Sequence, residues 1–309
     1  LLYFALNTSG EAARGWGIPM ATDIAFAVGI VALLGSRVSP KIKLFLLTLA
    51  IVDDIGAIAV IAIFYSSDLS VKWLVTAILG LITVWILQRA RVWAIPVYAV
   101  LGVFIWYATL ESGVHATIAG VALGLLTPAR PLLGKRDAQQ IVDALPSDAT
   151  VDEVRHASFL AQESVPLTVR LENLLHPFTA FIIIPIFALA NAGIELSGET
   201  ISEAASSNVT LGIILGLVVG KPLGIGVFTW IATRFGFGLP EGVNWPQFLG
   251  MALAAGIGFT VSIFVGGLAF ESQAVSEMAK IGILAASLLS AIGALLLLRF
   301  GKSDSPSND

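Results

Sequence analysis

The sequence predicts an all-α membrane protein, a polytopic bundle of helices, and three observations carry that prediction. Of its 309 residues, 57% are hydrophobic and only 12% charged, against about 45–50% and about 25% in a soluble domain. The apolar residues gather in runs of about 20, the length that crosses a hydrocarbon core as a helix. The alternating ten-residue segments that a membrane barrel needs are absent. There is no cysteine, which excludes disulfides and thiolate metal sites. The net charge of −4 says little, because the placement of charges matters more than their sum.

Nine spans follow in order, at about 16–36, 44–65, 71–88, 93–110, 112–127, 177–196, 209–233, 247–270 and 277–299. Before the first, "LLYFALN" reads as the tail of an apolar span, and the chain opens on Leu1 without an initiating Met. A fragment lacking its natural N-terminus is expected. The first span is a poor continuous helix, because Gly15, Gly17 and Pro19 precede Thr22 and Asp23. The second holds "LAIVDDIGAIAV", with Asp53 and Asp54 at its middle. The third, fourth and fifth are apolar throughout, and His115 in "SGVHATIAG" reads as a packing or hydrogen-bonding histidine.

Residues 129–174 are polar, Pro-punctuated and charged in both signs, and predict a long, partly disordered cytoplasmic loop. Its last part, "VPLTVRLENLLHPF", has the apolar spacing of a short helix lying along the membrane surface. The seventh span carries Gly212, Gly216, Gly220 and Gly224 at every fourth position, a stripe that lets helices approach closely. Lys221 lies in the same span, and Pro222 behind it frees the carbonyl of Val218. In the eighth, "LAAGIGFTVSIF" places Gly256 and Gly258 before Thr260, a second expected break. Residues 301–309 read as a disordered cytoplasmic tail.

Positive charge orients the bundle. Linkers after the odd-numbered spans, with the C-terminal end, hold most arginines and lysines, from Arg37, Lys41 and Lys43 to Arg299 and Lys302. Arg14, Lys72 and Lys280 fall on the other side. The C-terminus is therefore expected in the cytoplasm.

Asp23, Asp53, Asp54 and Lys221 lie deep within spans. Both adjacent aspartates are roughly 15 Å from either end of theirs, at about 1.5 Å per residue. A charge at that depth costs about 2.5–3.5 kcal/mol on insertion scales. A structural salt bridge to Lys221 accounts for one acid and leaves two unpaired. A water-accessible ion or proton site accounts for all of them. Neighbouring helix residues are about 100° apart, so one aspartate can line a cavity while the other faces a neighbouring helix. Carboxylates this close titrate as a pair. Protonated they are neutral, and ionised they offer oxygens to a small hard cation, so sodium and protons compete. Two interrupted spans point to a transporter site, with Asp23 set to offset positive half-helix ends and Lys221 negative ones.

The segments "ATDIAFAVGIVALLGSR", "LAIVDDIGAIAVIAIFY", "SGVHATIAGVALG", "LENLLHPF", "PIFALANAGI", "VVGKPLGI" and "GIGFTVSIF" together resemble the NhaA family of sodium/proton antiporters, over the chain to about residue 300. The resemblance implies an inverted repeat with two discontinuous crossing helices, and one transporter domain over 1–300, its spans matching the family's helices four to twelve. It implies electrogenic exchange of two protons for one Na+ or Li+ by alternating access in a bacterial inner membrane, with no cofactor. By it, Asp53 and Asp54 are the ion- and proton-binding acids, and Asp54 the main sodium ligand. Lys221 can pair with Asp53, Asp23 belongs to a broken helix, and Thr22 is a supporting ligand. Glu172 and His176 fall in the family's pH-response region, where Asn173 stands in place of a His that some members carry. A homodimer is implied for the full-length family protein. The partners expected are ions and lipid, with no nucleic acid.

Three other readings are weaker. An intramembrane aspartyl protease needs acids on two helices and a GxGD-type element, and "GIGF" has no acid. A proton-coupled cation symporter of the same architecture differs only in the direction of proton movement. A membrane scaffold would tolerate loss of both aspartates.

Overall fold

The computed structural model describes all residues except 36–37, 66–68, 91, 93–94, 132, 147, 192, 195–196, 241 and 301–309. The tail expected at 301–309 therefore lies outside the described residues, as do Arg37 and Lys302. Every regular element among the described residues is helical. The chain divides into two compact units, Leu1–Tyr65 with Phe187–Asp309, and Ser66–Ile186.

The first unit contains the long helices Pro40–Phe64, Asn208–Arg234 and Gln273–Phe300, each apolar and long enough to cross a membrane. Pro40–Phe64 starts where Ser39 accepts a hydrogen bond from the Lys41 N–H, with Pro40 in the first turn, where its missing N–H costs nothing. Its 25 residues extend about 37 Å. Two further spans are bent pairs: Gly10–Met20 with Ile24–Ala32, at 45°, and Trp245–Ala254 with Phe259–Ala269, at 47°. Ile18, Ile213, Leu217, Ile263 and Ile283 form one buried core, and Leu46, Phe248, Met251 and Leu298 belong to a second.

Small residues allow the close approaches. A Cβ at Gly216 would lie 2.7 Å from Pro19, and one at Gly256 would lie 2.5 Å from the Leu217 carbonyl oxygen. The glycine stripe serves this purpose at Gly212, Gly216 and Gly220, whereas a Cβ at Gly224 would meet nothing within 4 Å. Pro222 does not break its span. A π turn, Leu215–Gly220, precedes it, and the Lys221 N–H reaches back to the Gly216 carbonyl. A widened turn moves the backbone off a proline that lacks an N–H and crowds the fourth carbonyl behind it. The same arrangement, Thr179–Ile183, precedes Pro185.

In the second unit, Val71–Arg89 packs on Ile95–Glu111 around Val84, Ile105 and Ala119, with Thr117–Leu126 following. Residues 129–174, expected as a loop, carry the helices Lys135–Asp143 and Val151–Gln162 and the start of Leu167–Phe178. Thr150 and Glu153 form a reciprocal cap at the start of Val151–Gln162. The expected short surface helix is Leu167–Phe178, and it runs on into an apolar stretch of 25 residues, Leu167–Asn191, which links the two units along the chain.

Candidate ion site at the helix crossing

Two helix breaks build the site. In the first pair a 3-10 helix, Arg14–Met20, gives way at Ala21–Asp23 to the helix Ile24–Ala32. Gly15, Gly17 and Pro19 are poor α formers. In the second pair, Trp245–Ala254 and Phe259–Ala269 are separated by Ala255–Gly258. The breaks touch each other. The Asp23 N–H donates to the Ile257 carbonyl at 2.7 Å, and the Ser262 hydroxyl donates to the Ile18 carbonyl at 2.9 Å.

A break leaves backbone N–H and C=O groups without helical partners, which is costly at membrane depth. Asp23, only 3% exposed, serves both N-terminal ends. Its Oδ1 accepts from the Phe26 N–H at 3.1 Å, and its Oδ2 accepts from the Thr260 N–H at 3.0 Å and the Thr260 hydroxyl at 2.5 Å. Ser287, on the last helix, accepts from the Phe259 N–H at 3.2 Å.

Lys221 serves the opposite end. Its Nζ donates to the Met20 carbonyl at 2.7 Å and to the Thr22 hydroxyl oxygen at 2.6 Å, and lies 3.0 Å from Asp53 Oδ2. An ammonium has three protons, and these three oxygens take them. The Thr22 hydroxyl lies 2.9 Å from Asp53 Oδ2 and 3.0 Å from the Ala255 carbonyl. It has one proton and can donate to only one of them at a time.

Asp54 sits one residue further along Pro40–Phe64, turned about 100° from Asp53. Its Oδ1 is buried with no hydrogen-bond partner among the described residues. A carboxylate oxygen so placed is costly unless it is protonated or meets a cation. No group of three or more His, Cys, Asp or Glu comes together to hold a metal among the described residues.

Thr22, Asp23, Asp53 and Lys221 are thus brought together, with Asp54 beside them on the Asp53 helix. Glu172 and His176 are exposed on Leu167–Phe178, in the other unit. Sequence reasoning missed the partners Ser262 and Ser287 and gave Thr260 no role. The available signal was a hydroxyl directly after an expected break, which Thr260 and Ser262 both satisfy.

Crossing broken helices with three aspartates and a lysine in and beside the crossing define a polytopic helical membrane protein with the architecture of secondary ion transporters. The chain belongs to the Na+/H+ antiporter 1 family, whose model matches residues 1–298. It is 46% identical over 301 residues to Na(+)/H(+) antiporter NhaA 3 of Frankia alni, covering 96% of this chain and 65% of that protein. It is 45% identical to the Na(+)/H(+) antiporter NhaA of Syntrophobacter fumaroxidans, covering 97% and 68%. Against that of Salmonella arizonae the identity is 44%, covering 94% and 68%. The chain spans about two thirds of the length of these relatives.

Proposed function

We propose that this chain is a secondary sodium/proton antiporter and not an enzyme, exchanging protons for Na+ or Li+ by alternating access. One observation carries the reading. Asp53 is paired with Lys221 at 3.0 Å and lies 2.9 Å from the Thr22 hydroxyl, while the adjacent Asp54 keeps a buried oxygen with no hydrogen-bond partner among the described residues. One acid is engaged and its neighbour is free to take a proton or an ion.

In this mechanism the two carboxylates are the shared binding site. With both protonated, the pair is neutral and holds no cation. Loss of both protons leaves two anionic groups, and a Na+ meets Asp54 first. Asp53 joins by exchanging the Lys221 ammonium for the cation, while Lys221 keeps the Met20 carbonyl and the Thr22 oxygen. Two protons one way and one Na+ the other move one net charge, so exchange is electrogenic. Asp23 keeps its hydrogen bonds to both half-helix N-termini while the site changes occupancy. The pair and the lysine titrate together, and the macroscopic steps belong to the cluster.

The finer assignments belong to the same reading: a bacterial inner-membrane protein with its C-terminus in the cytoplasm, Glu172 and His176 in the pH response, and a homodimeric full-length form. The family and the names of the relatives support exchange over symport. Proteoliposomes loaded with a pH-sensitive dye test it. Na+ or Li+ added outside should acidify that same side as protons leave the lumen, K+ should do nothing, and Asp53→Asn and Asp54→Asn should abolish the response. Protons moving with Na+ instead of against it would establish symport. No ion-dependent response from folded, inserted protein would end the transporter reading.

A further inference from the structure

A buried stripe runs along Pro40–Phe64 on both sides of its acid pair. Ile42, Leu46 and Ala50 precede the acids, and Ala57, Ile61 and Tyr65 follow them, each set at every fourth position. The same step carries Ala50 to Asp54 and Asp53 to Ala57. Ile42 and Leu46 belong to one buried core and Ile61 and Tyr65 to the other. The Ile61 core includes Phe270, Ala279 and Ile283, so it lies toward the start of Gln273–Phe300, and the Ile42 core includes Ala294 and Leu298, toward its end. The acid pair therefore has an apolar plug on each side.

Over the Ile61 plug lies a set of polar ties that meet on residues 11–14, at the head of the first broken span. Glu11 Oε1 accepts from the Glu271 N–H at 2.6 Å and the Ser272 N–H at 2.8 Å. The Tyr3 hydroxyl donates to the Ala12 carbonyl at 2.6 Å, and the Tyr65 hydroxyl donates to the Arg14 carbonyl. Arg14 Nη1 lies 3.2 Å from Glu271 Oε1, an exposed pair that adds little. The ties thus come from the helix Leu2–Leu6, from the end of Pro40–Phe64 and from the turn ahead of Gln273–Phe300.

The sequence is fitted to these ties. A Cβ at Gly15 would overlap the Tyr3 hydroxyl, and one at Gly17 would lie 2.9 Å from the Tyr65 hydroxyl. The glycines that break the first span therefore also seat the two tyrosines. Glu11 meets N–H groups just ahead of a 28-residue helix, the end at which a carboxylate is favoured. Glu11 is partly exposed, whereas Ile18, Ile61 and Ile213 beneath are buried. Polar bonds at a wet rim exchange for bonds to water at small net cost. The rim can open and close while the core beneath sets the closed form, and it holds the span that brings Thr22 and Asp23 to the site.

We propose that Glu11, Tyr3 and Tyr65 form a latch that closes the ion site toward the end of the bundle away from the C-terminus, and that this latch opens when an ion enters from that end. The inference rests on the alternating-access reading. It assigns Glu11 and Tyr65 a part in controlling access, at a distance from the acids that bind the ion.

Thiol labelling tests it, because the chain has no cysteine and a single introduced one reports alone. Ile61→Cys, at a position 2% exposed, should react slowly with a maleimide in the intact chain in detergent. The reaction rate follows the population of the open form. Adding Tyr65→Phe, which removes one neutral hydrogen bond, should speed labelling about fivefold, and adding Glu11→Ala, which removes two bonds to a charged group, more than tenfold. Arg14→Gln should change it little. Ile42→Cys, also 2% exposed but in the other plug, should respond to none of these changes. An Ile61→Cys rate that neither Tyr65→Phe nor Glu11→Ala alters overturns the latch. Equal acceleration at Ile61→Cys and Ile42→Cys would show general loosening and overturn it too. Labelling needs no ion movement, so a failed proteoliposome assay with the labelling contrast intact would sink the transporter reading and not the latch.

Discussion

The two broken spans solve one physical problem with different chemistry. The first carries its own charge: Asp23 caps the helix that follows it, and Thr22 offers a hydroxyl one residue earlier. The second has only Ala255, Gly256, Ile257 and Gly258 at its break and carries no charge. It borrows Asp23 from the first break through Thr260, and Ser287 from the last helix. The difference teaches that the crossing is one electrostatic object. Asp23 satisfies N-terminal ends of both breaks, and Lys221 satisfies the carbonyl end of the first through Met20.

The largest expected effect comes from removing the shared cation. Lys221→Met leaves Asp53 and the Met20 carbonyl uncompensated, and breaking a buried pair from one side costs about 3–5 kcal/mol. Thermal unfolding in detergent should show a drop of that order. Asp53→Asn on the same background should recover part of it, since the unpaired charge is then gone. No recovery would show that the pair is not the stabilising unit.

Asp23→Ala removes three hydrogen bonds across both breaks, and a loss of about 2–3 kcal/mol is expected from a buried charged acceptor. If the crossing is one object, hydrogen exchange should rise at both Phe26 and Thr260. A rise confined to Phe26 would mean that the second break holds itself. Ser287→Ala affects only the borrowed end, and about 1 kcal/mol is expected.

Competition between ions at the pair gives a pH prediction with a definite sign. Acid protonates Asp53 and Asp54, so the apparent Na+ affinity should fall as pH falls, by up to about tenfold per unit for each proton displaced. A pH-independent KM for Na+ would place the ion away from these carboxylates.

The smallest effect lies in the linker. Glu153 is held below the usual glutamate range by the Thr150 backbone N–H and hydroxyl. Its cap contributes above the ordinary glutamate pKa and is lost as pH falls through the lowered value. Thr150→Ala should lower the helicity of Val151–Gln162, and the gap between the two proteins in circular dichroism should narrow as Glu153 is protonated, leaving the part due to the Thr150 oxygen that accepts from the Glu153 N–H.

The apolar runs marked the helices in the sequence because a span must be long and continuous, and the deep charges stood out because each is costly there. The hydroxyl partners did not stand out. Thr48, Thr76 and Thr83 each donate to the carbonyl four residues back on their own helix. Only its place just after an expected break separates Thr260, whose hydroxyl crosses to Asp23, from these. The π turns were hidden too, since a proline announces a lost hydrogen bond but not how the turn before it adjusts. The linker helix was legible and was missed: Thr150 and Glu153, three apart, are a capping signature, overridden by the polar composition around them.

The most direct measurement is proton release on adding Na+ to purified, weakly buffered protein. Na+ and Li+, but not K+, should release protons, and Asp54→Asn should release none while remaining folded. Proton release that persists unchanged in Asp54→Asn would contradict a shared site at the crossing and send the search for the ion elsewhere in the bundle.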